Sequence, residues 1–328
     1  DNFGWWLVLF ALILLLLVSG LAFPKAGDGV IGGAGAKPEY TMWQWFSMSL
    51  KGGIGTGILF WAMGEPIFHM AAPPAAAGAQ PFTREAGLFA NSQTMLHWTI
   101  APYAMYSLCA VGVALMAYNR RRTISVSSIF EPYLSSSVYG VVKTVVPMVS
   151  LFCIVGALAC SMAVGLMQIN SGLNFFFGLP IDGVTVFAIA AIMVTVYVVS
   201  CLTGIKKGMR VLSSFCTIVF IGLMVYVLCL GPTRFIVDAG TESLGVFFNR
   251  FFEHSVILPT MAENETWSKS WIIMFMASFF VYAPIIGLFL ARLGKGRTVR
   301  EFIFMNIGAP TLFCIVWIAI WGGTTVWL

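Results

Sequence analysis

The hydrophobic positions of this chain fall in long blocks, not in short alternating runs. Eight blocks are long enough to cross a bilayer, at about 4–22, 43–70, 92–119, 142–177, 184–203, 210–230, 270–292 and 302–327. Strands of a membrane barrel would instead alternate over about ten residues each. The pattern predicts an all-α polytopic membrane protein. The fourth block is too long for one straight crossing and must tilt, bend or protrude. Small residues crowd its middle (GALACSMAVG, Gly156–Gly165), which lets neighbouring backbones approach. Between Gly231 and Lys269, Phe235, Ile236, Leu244, Phe247 and Phe251 interleave with Asp238, Glu242, Arg250 and Glu253. This spacing predicts an amphipathic helix lying along the outer surface and clamping the bundle.

Composition sharpens the class. Of 328 residues 59% are hydrophobic and 9% charged, where soluble domains carry about 25% charged residues. The net charge of +5 is therefore a matter of loops and not a nucleic-acid signal. Of the 18 Lys and Arg, all but Arg84, Arg234, Arg250 and Lys269 fall on one set of alternate loops and adjoining helix ends. The positive-inside rule makes that set cytoplasmic. The first block then enters from outside, so a cytoplasmic N-terminus needs a further helix ahead of Asp1, and the chain reads as a fragment. The seven cysteines lie in apolar blocks without a C-x-x-C pair, as small buried hydrophobes do. Asn264-Glu265-Thr266 fits a glycosylation sequon, a weak match in isolation.

The second block carries an anomaly: Lys51–Pro66, KGGIGTGILFWAMGEP, places Gly52, Gly53, Gly55 and Gly57 mid-span. Each glycine costs a helix interior about 1 kcal/mol relative to alanine. Two readings stay open. The helix is broken where it lines a cavity, as in secondary transporters, or Gly53 and Gly57 form a GxxxG packing face. Ile58 stands where G-x-G-x-x-G needs glycine, which excludes a dinucleotide fingerprint.

Chemistry-bearing residues are few. Trp98, Tyr103 and Tyr106 share a broad face of the third span, with Pro102 freeing a backbone carbonyl nearby. Phe279 and Tyr282 share a face of the seventh, ahead of Ala283-Pro284. Such faces suit a cationic ligand that lacks N–H donors, each ring being worth about 0.5–2 kcal/mol when desolvated. Against this, most of the 28 Phe, 11 Trp and 9 Tyr of a membrane protein face lipid or the interface. Glu65 could cap broken-helix amides or act as a proton site, but at the outer end of its span it is expected in a solvated structural role, and His97, at the mouth of its helix, in an interfacial hydrogen bond. No Ser-His-Asp set, H-E-x-x-H or paired intramembrane carboxylate is visible, so neither catalytic nor metal-ligating residues are assigned. Lys51 lies about 13 Å into its span if the helix starts near Met42. It is either a functional intramembrane cation or a side chain snorkelling to the cytoplasmic surface.

Several stretches together resemble the betaine/carnitine/choline transporter family: GGIGTGILFWAMGEP (52–66), HWTIAPYAMY (97–106), TGIKKGMRVLSS (203–214) and APIIGLFLARLGKGRTVREF (283–302). The run GKGRTVREF (294–302) is the most specific of them. The resemblance covers essentially the whole chain and corresponds to about the second to ninth of twelve helices. It implies the inverted five-helix-repeat fold of amino acid/sodium symporters, incomplete at both ends. Residues 1–41 would be a peripheral helix and loop, 42–230 the first repeat, 231–269 an outer amphipathic helix and loop, and 270–328 the start of the second repeat. It also implies substrate contacts at Trp98, Tyr103, Tyr106, Phe68, Phe279 and Tyr282, beside the broken helix at Gly53, Gly55 and Gly57. Lys51 and Ile54 fall where sodium-coupled relatives offer carbonyls to a sodium ion, so a lysine ammonium there would act as a built-in cation. Family members are often trimers, which implies a homotrimer. One departure is plain: relatives usually carry W-W-x-x-W before the Ala-Pro, whereas here the run is Ser278-Phe279-Phe280-Val281-Tyr282. The expected function is alternating-access transport of a quaternary ammonium or related onium solute across a bacterial inner membrane. The rivals are a same-fold carrier for an amino acid or other solute, an ion channel and an embedded enzyme.

Overall fold

A computed structural model describes residues 3–53, 57–202, 208–258 and 265–328. Among these residues the chain is helical, and the one extended pairing is an isolated bridge between Val30 and Thr298. All eight expected spans are helices. Among the described residues seven are long and apolar enough to cross a membrane, and the second in order is described as two helices on either side of residues 54–56.

α1 (Gly4–Ala22) is apolar all round, yet only its small side buries: Gly4, Val8, Ala11, Val18 and Ala22 form the seam, while Leu9, Ile13, Leu16 and Leu17 stay exposed. This is how helices pack in lipid, where close backbone approach replaces a hydrophobic driving force. The split second span is α2 (Met42–Gly53) and α3 (Gly57–Ala71). The third span is also two helices, α4 (Arg84–Trp98) and α5 (Ile100–Ala114), parted at Thr99 with φ −119° and ψ −113°. Pro102 lacks the N–H that would bond the Trp98 carbonyl, and its ring crowds that turn.

The third span thus begins at Arg84 and not near residue 92. Its first half, REAGLFANSQTMLHW, is too polar to read as a membrane helix. Every residue from Phe89 to Trp98 is nevertheless buried, because α4 is covered by protein and not by lipid. Thr83 caps it by accepting from Ala86 N–H.

α6 (Ser136–Phe177) is 42 residues long, about 63 Å at 1.5 Å per residue, twice the hydrocarbon thickness. With α7 (Gly183–Leu202) and α8 (Arg210–Leu230) it presents mostly exposed apolar side chains. The expected amphipathic helix is α9 (Thr233–Asn249), which buries Ile236, Ala239, Gly240, Ser243 and Phe247 and leaves its charged face outward. A short α10 (Phe251–Ser255) and α11 (Glu265–Ser268) lead into α12 (Met274–Leu293). α13 (Val299–Ile303) and α14 (Ala309–Trp327) complete the chain. α9 lies on α14 and α4, and α12 lies along α5.

The run GKGRTVREF closes one end of the bundle. Ile31 N–H donates to Arg297 O (2.9 Å), Gly296 N–H to Ile31 O (2.8 Å) and Val299 N–H to Gly29 O (2.9 Å). Gly296 has φ +79°, and a Cβ there would strike the Lys37–Pro38 backbone, so only glycine fits. Arg300 binds Asp28 (2.6 Å) and the Ala22 carbonyl (2.9 Å), while Arg297 reaches the Tyr40 carbonyl and lies over the Trp45 ring.

Candidate functional site

The second and third spans meet. Against the gap between α2 and α3 lie the rings of α5 and α4: Tyr103 packs on Gly53, and Trp98 on Gly57, where an added Cβ would come within 2.8 Å of Trp98 Cη2. The glycines thus make room for aromatic faces at the break. From α12 come Phe275 and Phe279. Trp98 touches both edge-on (centroids 5.3 and 6.0 Å), Phe279 meets Tyr106 at 6.2 Å, and Tyr106 meets Tyr103 at 6.3 Å. All these rings are buried. A cation held between ring faces sits within ~6 Å of each centroid. Rings already in edge contact would have to separate to admit one between them.

Of the positions singled out from sequence, Trp98, Tyr103, Tyr106, Phe279, Gly53 and Gly57 come together here. Gly55 and Ile54 lie outside the described residues, as do residues 203–207 of the loop motif and Asn264 of the sequon. Two positions diverge. Tyr282 turns its hydroxyl onto α6, at the Ser161 hydroxyl (2.5 Å) and Ala157 carbonyl (2.7 Å), so it ties α12 to α6. Phe68 is exposed and packs on Trp61 and Trp271, at the outer end of the ring column. That column was only partly seen in the sequence. Trp267, Trp271, Phe275 and Phe279 recur every four residues on one helical face, a spacing that marks a single stripe.

Glu65 and His97 overturn their expected roles. Both are fully buried, together with His69. Glu65 accepts from His69 Nε2 (3.1 Å) and Trp98 Nε1 (2.9 Å) and makes a close contact with His97 Nδ1. Because α4 starts thirteen residues before His97, that residue sits deep and not at a helix mouth. The i,i+4 spacing of Glu65 with His69, and of Gln93 with His97, was the available signal. The glutamate therefore tethers the cage ring Trp98 through its second oxygen.

The ligand atoms of Glu65, His69 and His97 lie within 4.8 Å of one another, a spacing compatible with a metal ion. The donor chemistry argues against one. Trp267 Nε1 is a donor only, and it bonds His69 Nδ1 (3.2 Å), so the His69 proton sits on Nε2 and is given to Glu65. A protonated Nε2 cannot ligate. The carboxylate is instead saturated with N–H donors.

Lys51 lies between α2 and α8 with Nζ 3.0 Å from the centroid of Phe220, whose ring stacks towards Trp317 (4.8 Å). The ammonium finds no hydrogen-bond acceptor among the described residues. It is held on an aromatic face inside the bundle and does not snorkel to the surface.

Fold and site together define a polytopic α-helical membrane protein whose helices bring a cluster of buried aromatic rings together. The sequence model of the betaine/carnitine/choline family transporters matches residues 1–328, and the chain belongs to that family. It is 30% identical over 323 residues to a probable glycine betaine transporter of Desulfitobacterium hafniense, covering 98% of this chain and 64% of that protein. It is 29% identical over 328 residues to the osmo-dependent choline transporter BetT2 of Acinetobacter baylyi, covering 99% and 47%. An ectoine/hydroxyectoine transporter of Virgibacillus pantothenticus is 28% identical over 327 residues, covering 99% and 64%. The chain spans about half to two thirds of the length of these relatives.

Proposed function

We propose that this chain forms the substrate-binding part of a secondary active transporter that moves a quaternary ammonium or related onium compatible solute across the bacterial inner membrane by alternating access. It is not an enzyme in this reading. One observation carries it: the rings of Trp98, Phe279, Tyr106 and Tyr103 converge on the second span at Gly53 and Gly57. Rings at a helix break offer faces to a methylated cation, and freed backbone groups there serve a carboxylate or an ion. The relatives named for glycine betaine and choline agree in chemistry. Lys51 supports a sodium-independent, exchange-type cycle, because an ammonium already occupies the region beside the break. Sodium coupling and a homotrimeric assembly remain the alternatives to test.

Uptake of labelled glycine betaine, choline and carnitine by the full-length protein in liposomes, with and without sodium, tests the reading. Uptake lost in Trp98→Leu supports it; no uptake of any onium overturns it. A second reading, a carrier of the same fold for a cyclic or amino-acid solute, draws on the ectoine-named relative and on Phe279 in the tryptophan-rich position. Transport of ectoine unaffected by excess betaine, choline or carnitine would select it.

A further inference from the structure

We propose that Glu65, His97 and Gln93 form a proton-binding site whose occupancy is transmitted to the aromatic cage through Trp98. The site stands on its own geometry, and only the link to substrate rests on the transport reading above.

Three donors already point at the Glu65 carboxylate: His69 Nε2–H, Trp98 Nε1–H and, with His97 neutral, His97 Nδ1–H. In that state the buried cluster carries one net negative charge, and burying an uncompensated charge costs several kcal/mol. One further proton makes it a neutral imidazolium–carboxylate pair. His69 cannot take that proton, because its Nδ1 lone pair is engaged by the Trp267 indole N–H (3.2 Å). His97 can. Its Nε2 faces the side-chain amide of Gln93 at 3.0 Å, and the Gln93 Oε1 is buried with no hydrogen-bond partner. An amide turned by half a rotation exchanges donor for acceptor. Gln93 N–H donates to Nε2 when His97 is neutral, and Gln93 Oε1 accepts from Nε2–H when it is charged. The same residue satisfies both protonation states.

The surroundings bring no rival charge into contact among the described residues. From α12 the Phe275 ring stacks on His97 (4.7 Å), and the Trp271 ring, half-buried, covers His69 (4.5 Å). From α11 comes Trp267, with Lys269 two residues on. From α10, His254 lies behind the Phe89 ring (5.1 Å). On α9, Glu242 is engaged by Arg84 and Asp238 by Arg234. On α14, the Cys314 thiol contacts the Tyr103 hydroxyl.

The proton enters from water onto His97 Nε2, and no other bond forms or breaks besides hydrogen bonds. With His97 charged, the ion pair at Oε1 draws charge from the Glu65 carboxylate, and the hydrogen bond that the Trp98 indole N–H donates to Oε2 weakens. Trp98 is thereby freed to part from Phe275 and Phe279. Proton and substrate should bind with positive cooperativity.

The test uses full-length protein in nanodiscs, labelled with ¹⁵N-histidine. The chain has three histidines, so the spectrum is simple. As the sample is acidified, the His97 Nε2 should pass from unprotonated to protonated while His69 keeps its Nε2–H tautomer. His254→Gln assigns the remote signal. Gln93→Met, which leaves all three histidines in place, should shift the His97 midpoint. A His97 fixed in one state throughout, or histidine signals unchanged by Gln93→Met, overturns the proposal. In the same preparation glycine betaine or choline should bind roughly tenfold more tightly at the acid end, and Glu65→Gln should abolish that dependence. Binding that is flat with pH while His97 titrates removes the link to the cage. Absence of onium binding overturns the transport reading and leaves the histidine spectra to decide the proton site.

Discussion

Gly57→Ala tests the arrangement at the break without reference to any substrate. The added Cβ would lie 2.8 Å from Trp98 Cη2, with Cζ3 and Cζ2 at 3.6 and 3.7 Å. Ordinary carbon contacts are about 3.5–4.0 Å, so the indole must retreat by roughly 0.7 Å. It is not free to do so. Its Nε1–H is bonded to Glu65 at 2.9 Å, and its ring abuts Phe275 and Phe279. Overpacking of this kind costs about 1–3 kcal/mol. Alanine recovers little in return, since Gly57 is the first residue of α3 and not a helix interior. The expected net loss is about 1–2 kcal/mol, or a fall of about 2–4 °C in the thermal midpoint at this chain length. Gly156→Ala is the internal control. It lies mid-α6 with no heavy atom within 4 Å of the added Cβ, and should be neutral or stabilising by up to about 1 kcal/mol. Thermal unfolding of the detergent-solubilised protein reads both. If Gly57→Ala melts at or above wild type, as Gly156→Ala should, Trp98 does not pack on the break and the cage is misplaced.

Trp98→Leu should weaken binding of a methylated cation by about 0.5–2 kcal/mol in a calorimetric titration, and unchanged affinity would remove the ring from the site. Tyr282→Phe should leave that affinity alone while lowering thermal stability by about 1–2 kcal/mol, through loss of its bonds to Ser161 and Ala157. A change in affinity at constant stability would instead return Tyr282 to the cage. Lys51→Met should be thermally neutral or stabilising, since it removes a buried ammonium without an acceptor. In the same variant uptake should become sodium-responsive or stop, and wild-type uptake that strictly requires sodium refutes the built-in cation. On α10, burial lowers the pKa of His254 from its ordinary 6.5, with Glu253 opposing. The unfolded chain then binds the proton more readily than the folded one. Its contribution to stability is complete above pH 6.5 and falls as pH drops below that value, so His254→Gln should flatten the acid side of the melting profile relative to wild type.

The spans were legible because lipid-facing helices must be apolar, and α1, α6, α7 and α8 show little else. The amphipathic α9 was legible for a related reason: one face meets the bundle and the other meets water. α4 was not. A helix wrapped by protein on every side has no need of hydrophobic residues, so Asn91, Ser92, Gln93 and Thr94 are all fully buried in a segment that hydropathy discounts. With its start misplaced, His97 looked superficial, and Glu65 with it. Tyr282 erred differently. Its spacing from Phe279 puts both on one face of α12, but α6 passes close enough to draw the hydroxyl away, and no local pattern encodes that.

The break, the cage and the buried carboxylate are therefore one structure. Gly57 admits the Trp98 ring because it has no side chain, and Glu65, eight residues on along the same helix, holds that ring by its N–H. Eight residues are just over two turns, which puts glycine and glutamate about 80° apart around α3. Trp98 is the last residue of α4, where the chain breaks before Pro102. A ring at a helix end, bonded at one edge and packed at another, moves only if one of those holds is released. The packing contact is fixed by the backbone, whereas the hydrogen bond depends on what else the Glu65 carboxylate accepts from. Of the two holds on the cage, the carboxylate is the one that chemistry can switch.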